Sequence, residues 1–325
     1  MQKMTDAWLK TLAENPEPIV RWKYVRITTD RQLSDTENQH ARHALSSSPV
    51  ILKLLSDRDA DGRIPFSPYD KWFGAHWVLS ILADLRYPPG DDALKPMQEQ
   101  CYQAWLSKQH EEHIPTIDGR VRRCASQEGN CIYYSLALGL ADDRTAELVH
   151  RLLKWQWQDG GWNCDKHPQA AKSSFHESLI PLRAMSLYAS VSGDSQARRS
   201  AERAAEIFLK RRLFMKLSDG TLMDRNFVRL HYPGYWHYDV AFGLKVLAEA
   251  GFITDPRCSD ALDLLESKQL SDGGFPAEDR YYRVDEKKLT GHSRVDWGGT
   301  SQQRMNPFVT LDALYVLKQA GRLAG

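Results

Sequence analysis

No apolar run in the 325-residue sequence approaches the roughly 20 residues needed to span a bilayer. The N-terminal stretch MQKMTDAWLKTLAENPEP has neither an apolar core nor a cleavage site of the secretory kind. Together these absences lead to the expectation of a cytoplasmic protein without a transmembrane segment. An excess of charge is also lacking: 43 Lys and Arg stand against 42 Asp and Glu, for a formal net charge of +1. The broad basic surface of a nucleic-acid binder is therefore not expected. Cysteine is sparse and scattered. Cys101, Cys124, Cys131, Cys164 and Cys258 form no CxxC pair, which argues against a zinc ribbon or a disulfide framework and for free thiols. Sustained strand-type alternation is confined to short pieces such as RYYRV, and no βαβ rhythm appears.

What the chain does have is 42% hydrophobic residues and enough length to bury about three quarters of its unfolded surface. An Asp-Gly pair recurs at Asp61-Gly62, Asp118-Gly119, Asp159-Gly160, Asp219-Gly220 and Asp272-Gly273. The pairs at Asp159 and Asp272 close runs such as LVHRLLKWQWQDGG and DALDLLESKQLSDGG, whose apolar spacing marks an amphipathic helix. Each pair is followed by a greasier segment: WFGAHWVLSILADL, NCIYYSLALGL, FHESLIPLRAMSLYASV, YDVAFGLKVLAEAG and PFVTLDALYVLKQAG. Helices apolar on nearly every side are packed all round. The segment IVRWKYVRI with the polar run from Asp35 to Ala44 supplies a less regular sixth pair. Outer amphipathic helices alternating with inner apolar ones, six times over, predict an all-α fold, an α6/α6 toroid. It is expected as one domain over residues 1–325 with an irregular N-terminal unit over about 1–54.

The segment QWQDGGW (156–162) and its echo KQLSDGGF (268–275) resemble the QW repeats of the squalene-hopene cyclase and prenyltransferase-like superfamily. WNCD (162–165), SSFHESL (173–179) and YWHYDV (235–240) are similar to a bacterial squalene-cyclase-like group. That resemblance implies a toroid with a central aromatic cavity, and an enzyme acting on an apolar, isoprenoid-type small molecule by acid/base or metal-assisted chemistry. Two departures qualify it. The DxDD acid of a triterpene cyclase is missing, the nearest string being Asp57-Arg-Asp-Ala-Asp61, and Asp142-Asp143 does not complete a DDxxD. A carbohydrate-active α/α-barrel hydrolase or lyase, built on paired carboxylates, is the alternative. A non-catalytic ligand-binding toroid is the third reading. Oligomeric state is not legible.

If every inner helix starts just after its Asp-Gly loop, the first turns of all of them meet at one rim. This places Asp165, His176, His237 and Asp239 as catalytic candidates, with Trp72, His76, Asn130, Trp236, Tyr238 and Asn306 as a substrate-binding wall. Asp165 requires partial burial beside Trp162 and Phe175 to act as an acid. Asp239 could equally cap its helix. Cys164, His176 and His237 offer ligand types suited to zinc. Each has a plainer use as a packed thiol or hydrogen-bonded ring.

Overall fold

The computed structural model describes residues 5–29, 31–287 and 289–323. Fourteen α-helices follow one another: α1 (Thr5–Ala13), α2 (Pro18–Thr29), α3 (Asp35–Leu45), α4 (Pro49–Leu55), α5 (Ala75–Asp84), α6 (Lys95–Trp105), α7 (Lys108–Glu112), α8 (Ser126–Ala137), α9 (Asp143–Trp155), α10 (Phe175–Ser192), α11 (Ser195–Leu209), α12 (Val240–Glu249), α13 (Ser259–Glu266) and α14 (Pro307–Gln319). The described strands are two-residue pieces in loops, pairing Thr116 with Val121 in antiparallel fashion and Arg283 with His292 in parallel.

The predicted all-α toroid is what forms. Helix α5 packs on α8, α8 on α10, α10 on α12, α12 on α14 and α14 on α2. Closure from α2 back to α5 is made by side chains: Trp22 Nε1 donates to Arg86 O at 2.7 Å and Lys23 Nζ reaches Asp84 at 3.3 Å. Six inner helices thus form the ring, each preceded by an outer partner, and α2 is the inner member of the irregular N-terminal pair. The patterning explains the layering. Every residue of α5 from Ala75 to Ala83 is buried, whereas α9 buries Leu148, Val149, Leu152 and Trp155 and turns Glu147, His150 and Lys154 outward.

In the QW-like turn, Gln156 bonds carbonyls and not free N–H groups. Its Nε2 donates to two carbonyls, Gly160 O at 2.6 Å and Ser200 O at 2.9 Å, so it ties the end of α9 to α11. Gln269 repeats the local half of this clasp on Gly273 O at 2.8 Å. Such a bond closes a helical hairpin and carries no chemistry.

The toroid axis is charged. Lys23, Arg183 and Lys245 face Asp84, Glu249 and Asp312, three cations against three anions. Lys245 Nζ bonds Asp84 at 2.5 Å and Asp312 at 2.9 Å, while Arg183 takes Glu249 with Nε and Nη2 and Asp84 with Nη2. The three cations are 1–5% exposed, so their charges persist only through this mutual pairing. Above the network lies a cavity of about 30 Å³, bordered by Asn130, His231 and Tyr235, room for a single water. No central aromatic chamber is present among the described residues lining this axis.

Candidate functional site

The loops before α8 and α10, with the first turn of α10, bring Cys124, Cys164 and Glu177 together. One ligand atom from each lies within 4.8 Å of the others. The two cysteines are half-buried and Glu177 is buried. Glu177 is held from two sides: Oε2 accepts from Ser126 N at 3.0 Å, and Oε1 accepts from Trp236 Nε1 at 2.8 Å and from the Cys164 thiol at 3.7 Å. Burial raises its pKa, and the bonds from Ser126 and Trp236 temper the rise. The thiols are polarised in opposite senses. Their mutual interaction lowers the pKa of Cys124 and, followed by burial, raises that of Cys164. Two soft sulfurs and a fixed carboxylate at this separation are a donor set suited to zinc, with three protein ligands and room for a fourth.

A cleft of about 500 Å³ opens beside the start of α10, lined by Lys172, Ser173, Ser174, His176, Arg211 and Lys216 together with Phe175, Leu217, Met223 and Phe227. The three donors are not part of its lining, and His176, next to Glu177 in the chain, is the residue between the two. His176, half-buried, rests against Trp236 at 4.7 Å between ring centroids, and neither of its ring nitrogens has a hydrogen-bond partner among the described residues. Burial lowers its pKa, with Asp224 opposing.

The remaining candidates fall in three groups. His237 stacks on Tyr281 at 3.7 Å, nearly parallel, and its Nδ1 is buried without a partner. It joins neither the thiols nor Asp239. Asp239 binds a residue the sequence reading passed over, accepting from His231 Nδ1 at 2.8 Å and His231 N at 2.9 Å, and it caps α12 through Phe242 N at 2.7 Å. The capping alternative therefore describes it. Trp72 is stacked on Tyr235 at 4.2 Å and donates to Tyr281 O, so it is packing.

Tyr238 and Asn306 are corrected likewise. Tyr238 is buried among Phe175, Phe208 and Phe227 with its hydroxyl on Leu213 O, and Asn306 caps α14 through Phe308 N and Val309 N. Asp165 is exposed, accepting from His167 N in its own turn, so it lacks the burial an acid role requires. The expected set of Cys164, His176 and His237 is replaced by Cys164, Cys124 and Glu177. The rule that picked residues just before inner helices would also have found Cys124, one place from Ala125 at the start of α8.

His76 is fully buried beside Asn130, 3.5 Å from its amide nitrogen, with Nδ1 unpartnered. Burial, aided by Arg123, brings its pKa down to about 3. The folded protein holds it neutral while the unfolded chain protonates near pH 6.5, so its contribution is fully present above 6.5 and is lost as pH falls toward 3. We expect chemical denaturation to show stability falling below pH 6.5, by up to about 1.4 kcal/mol per pH unit for this residue. His76→Gln should flatten that slope, and an unchanged slope would show that the ring is charged in the fold. His231 works in the opposite sense. Burial pulls its pKa down, but Asp239 outweighs it, for a net rise. Its contribution is present below pH 6.5 and is lost as pH climbs through the raised value.

No protein-family model matches the chain, and no curated protein matches it. Solved structures do. An unsaturated glucuronyl hydrolase from Bacillus sp. GL1 superimposes with a TM-score of 0.46 at 14% identity, over 93% of this chain and 84% of that one. A possible GH105 family member from Salmonella enterica gives 0.45 at 11%, over 96% and 82%. An unsaturated glucuronyl hydrolase from Streptococcus agalactiae, solved in complex with dGlcA-GalNAc6S, gives 0.44 at 12%, over 93% and 78%. Likeness at this level concerns the fold alone.

These findings correct the resemblance to squalene-hopene cyclases and prenyltransferases, and with it the isoprenoid chemistry and the small apolar partner. The structural neighbours are unsaturated glucuronyl hydrolases and related proteins, and the axis that would house a hydrocarbon is filled with paired charges. The QW likeness misled because its clasp serves helical hairpins in general. No described helix is long and apolar enough to cross a membrane.

Proposed function

We propose that this chain is a hydrolase acting on a carbohydrate at the loop face, with Cys124, Cys164 and Glu177 holding a zinc ion at its reaction centre. The observation that carries the reading is the convergence of those three donors, with Glu177 one residue in sequence from His176, which lines a cleft of mixed apolar and basic character. A bound zinc ion would supply a water of lowered pKa. The chain's own residues do the rest. Trp236 Nε1 and Ser126 N fix the Glu177 carboxylate in one orientation. His176 stands at the border of cluster and cleft with both nitrogens available. Lys172, Arg211 and Lys216 with the serines between them present donors to hydroxyl or carboxylate groups, and Phe227 offers a ring face. The basic and serine donors suit hydroxyl and carboxylate groups, and the apolar members suit the face of a sugar ring. Free thiols at the centre fit a reducing compartment, so we place the protein in the cytoplasm.

The test is metal analysis of the purified chain together with release of reducing ends from a panel of acidic oligosaccharides. We expect one zinc per chain. Cys124→Ser should lower zinc affinity at least about a hundredfold and abolish turnover with little change in melting temperature. Zinc content far below one per chain, with activity indifferent to chelator and to Cys124→Ser, would overturn the metal centre. Stoichiometric zinc without cleavage of any glycan would overturn the substrate class.

A further inference from the structure

The opposite mouth of the toroid, where the inner helices end, holds a second and larger cleft of about 680 Å³. It lies across the charged axis from the loop face, and nothing in the proposed reaction uses it. Three arginines, Arg26, Arg86 and Arg183, line it against the carboxylates of Asp35 and Glu249, and two of the guanidinium groups are laid on tyrosine rings. Arg183 sits 3.7 Å from the centroid of Tyr133, and Arg86 sits 4.7 Å from that of Tyr315.

Arg183 is 5% exposed. Its Nε and Nη2 are spent on Glu249 and Asp84, while Nη1 has no acceptor among the described residues. In the cleft lining, that nitrogen is a donor left for an incoming acceptor. Arg86 is held in place with equal care. Its backbone adopts the left-handed conformation, φ 58°, which a non-glycine residue enters only at a cost. Its carbonyl accepts from Trp22 Nε1, and its Nη1 donates to Arg26 O at 3.2 Å. Tyr133 adds a hydroxyl with no hydrogen-bond partner among the described residues. Leu33, Ala137 and Leu187 supply apolar stretches of wall between polar ones from Gln32, Asp35 and Asn38.

From this arrangement we propose that the mouth is a binding site for a small organic anion, with a carboxylate or phosphate head between Arg86 and Arg183 Nη1 and a ring or short apolar body against the wall of Leu187. The Tyr133 hydroxyl supplies a further donor to the head. The cleft volume matches a drug-sized ligand, and planar guanidinium groups favour paired recognition of such oxyanions. This site goes beyond the loop-face chemistry and stands or falls without it.

The experiment is titration calorimetry of the full chain with benzoate, phenyl phosphate and inorganic phosphate. One of the two organic probes should bind with one-to-one stoichiometry and at least about tenfold more tightly than inorganic phosphate. Whichever of the two binds identifies the head group. Arg86→Gln should weaken it by about tenfold or more, and Tyr133→Phe by about fivefold. Both variants leave the buried Arg183 pairs intact and should melt as the parent does. Should Arg86→Gln fail to fold, Tyr133→Phe carries the same question alone. Absence of saturable binding by either organic probe, or affinities unmoved by both variants, would overturn the proposal. Inorganic phosphate binding as tightly as phenyl phosphate would overturn the apolar half of the site.

Discussion

Asp84→Asn is expected to destabilise the protein by about 3–5 kcal/mol, the range for removing one partner of a buried ion pair. Asp84 receives Lys245 at 2.5 Å, Arg183 at 3.1 Å, Lys23 at 3.3 Å and the Tyr232 hydroxyl at 3.3 Å. Burial alone would push its carboxyl up, but the three cations hold it well below the usual carboxylate range. Neutralising it leaves three buried cations facing Glu249 and Asp312. For a chain of this size the loss corresponds to a melting temperature lower by about 4–7 °C. The double variant Asp84→Asn/Lys245→Met restores equal numbers of opposite charges and should recover part of the loss. If the single variant melts with the parent, the network is solvated and the picture of a closed axis is wrong.

A second large effect is expected at the QW-like turn. Gly160 has φ 107°, and a Cβ there would lie 2.4 Å from the carbonyl oxygen of Arg203 and 2.9 Å from its carbonyl carbon. Both are backbone atoms of α11, unable to step aside as a side-chain tip could. Backbone strain of about 1–2 kcal/mol adds to overpacking of about 1–3 kcal/mol, so Gly160→Ala should cost roughly 2–5 kcal/mol. Gly193, with φ 75° and no atom within 4 Å of its added Cβ, supplies the comparison. Gly193→Ala should carry the strain alone. Denaturant midpoints of the two variants measure the difference, and equal losses would mean that α11 does not press on this turn.

The ring of helices was legible because its signals are local. An inner helix such as α5 is apolar over consecutive residues, an outer one such as α9 is one-sided, and Asp-Gly turns separate them. The site was legible only in outline. That the residues before inner helices gather at one rim follows from topology, and it brought Cys164, His176 and Trp236 into view. Which of them touch depends on how two loops fold, and no periodicity encodes that. Cys124 meets Cys164 because the loops before α8 and α10 run side by side, joined by the bridge between Arg122 and Asn163. His231 reaches Asp239 because the intervening chain doubles back through Tyr232 and Pro233. Asn306 and Asp239 illustrate the reverse error. Asparagine and aspartate at a helix start serve the free N–H groups there, and sequence alone does not separate that use from chemistry.

The paired charges at the middle of the ring have a bearing on how material moves. Lys23, Asp84, Lys245 and Asp312 stand where a tunnel would run, and the space above them admits one water. The two faces are blind-ended, so whatever enters one must leave by the same opening. A polymer cannot be threaded, and a long chain could offer only its terminus or a short exposed stretch. Were the proposed hydrolysis to take place at the loop face, its products would leave through the mouth by which the substrate entered.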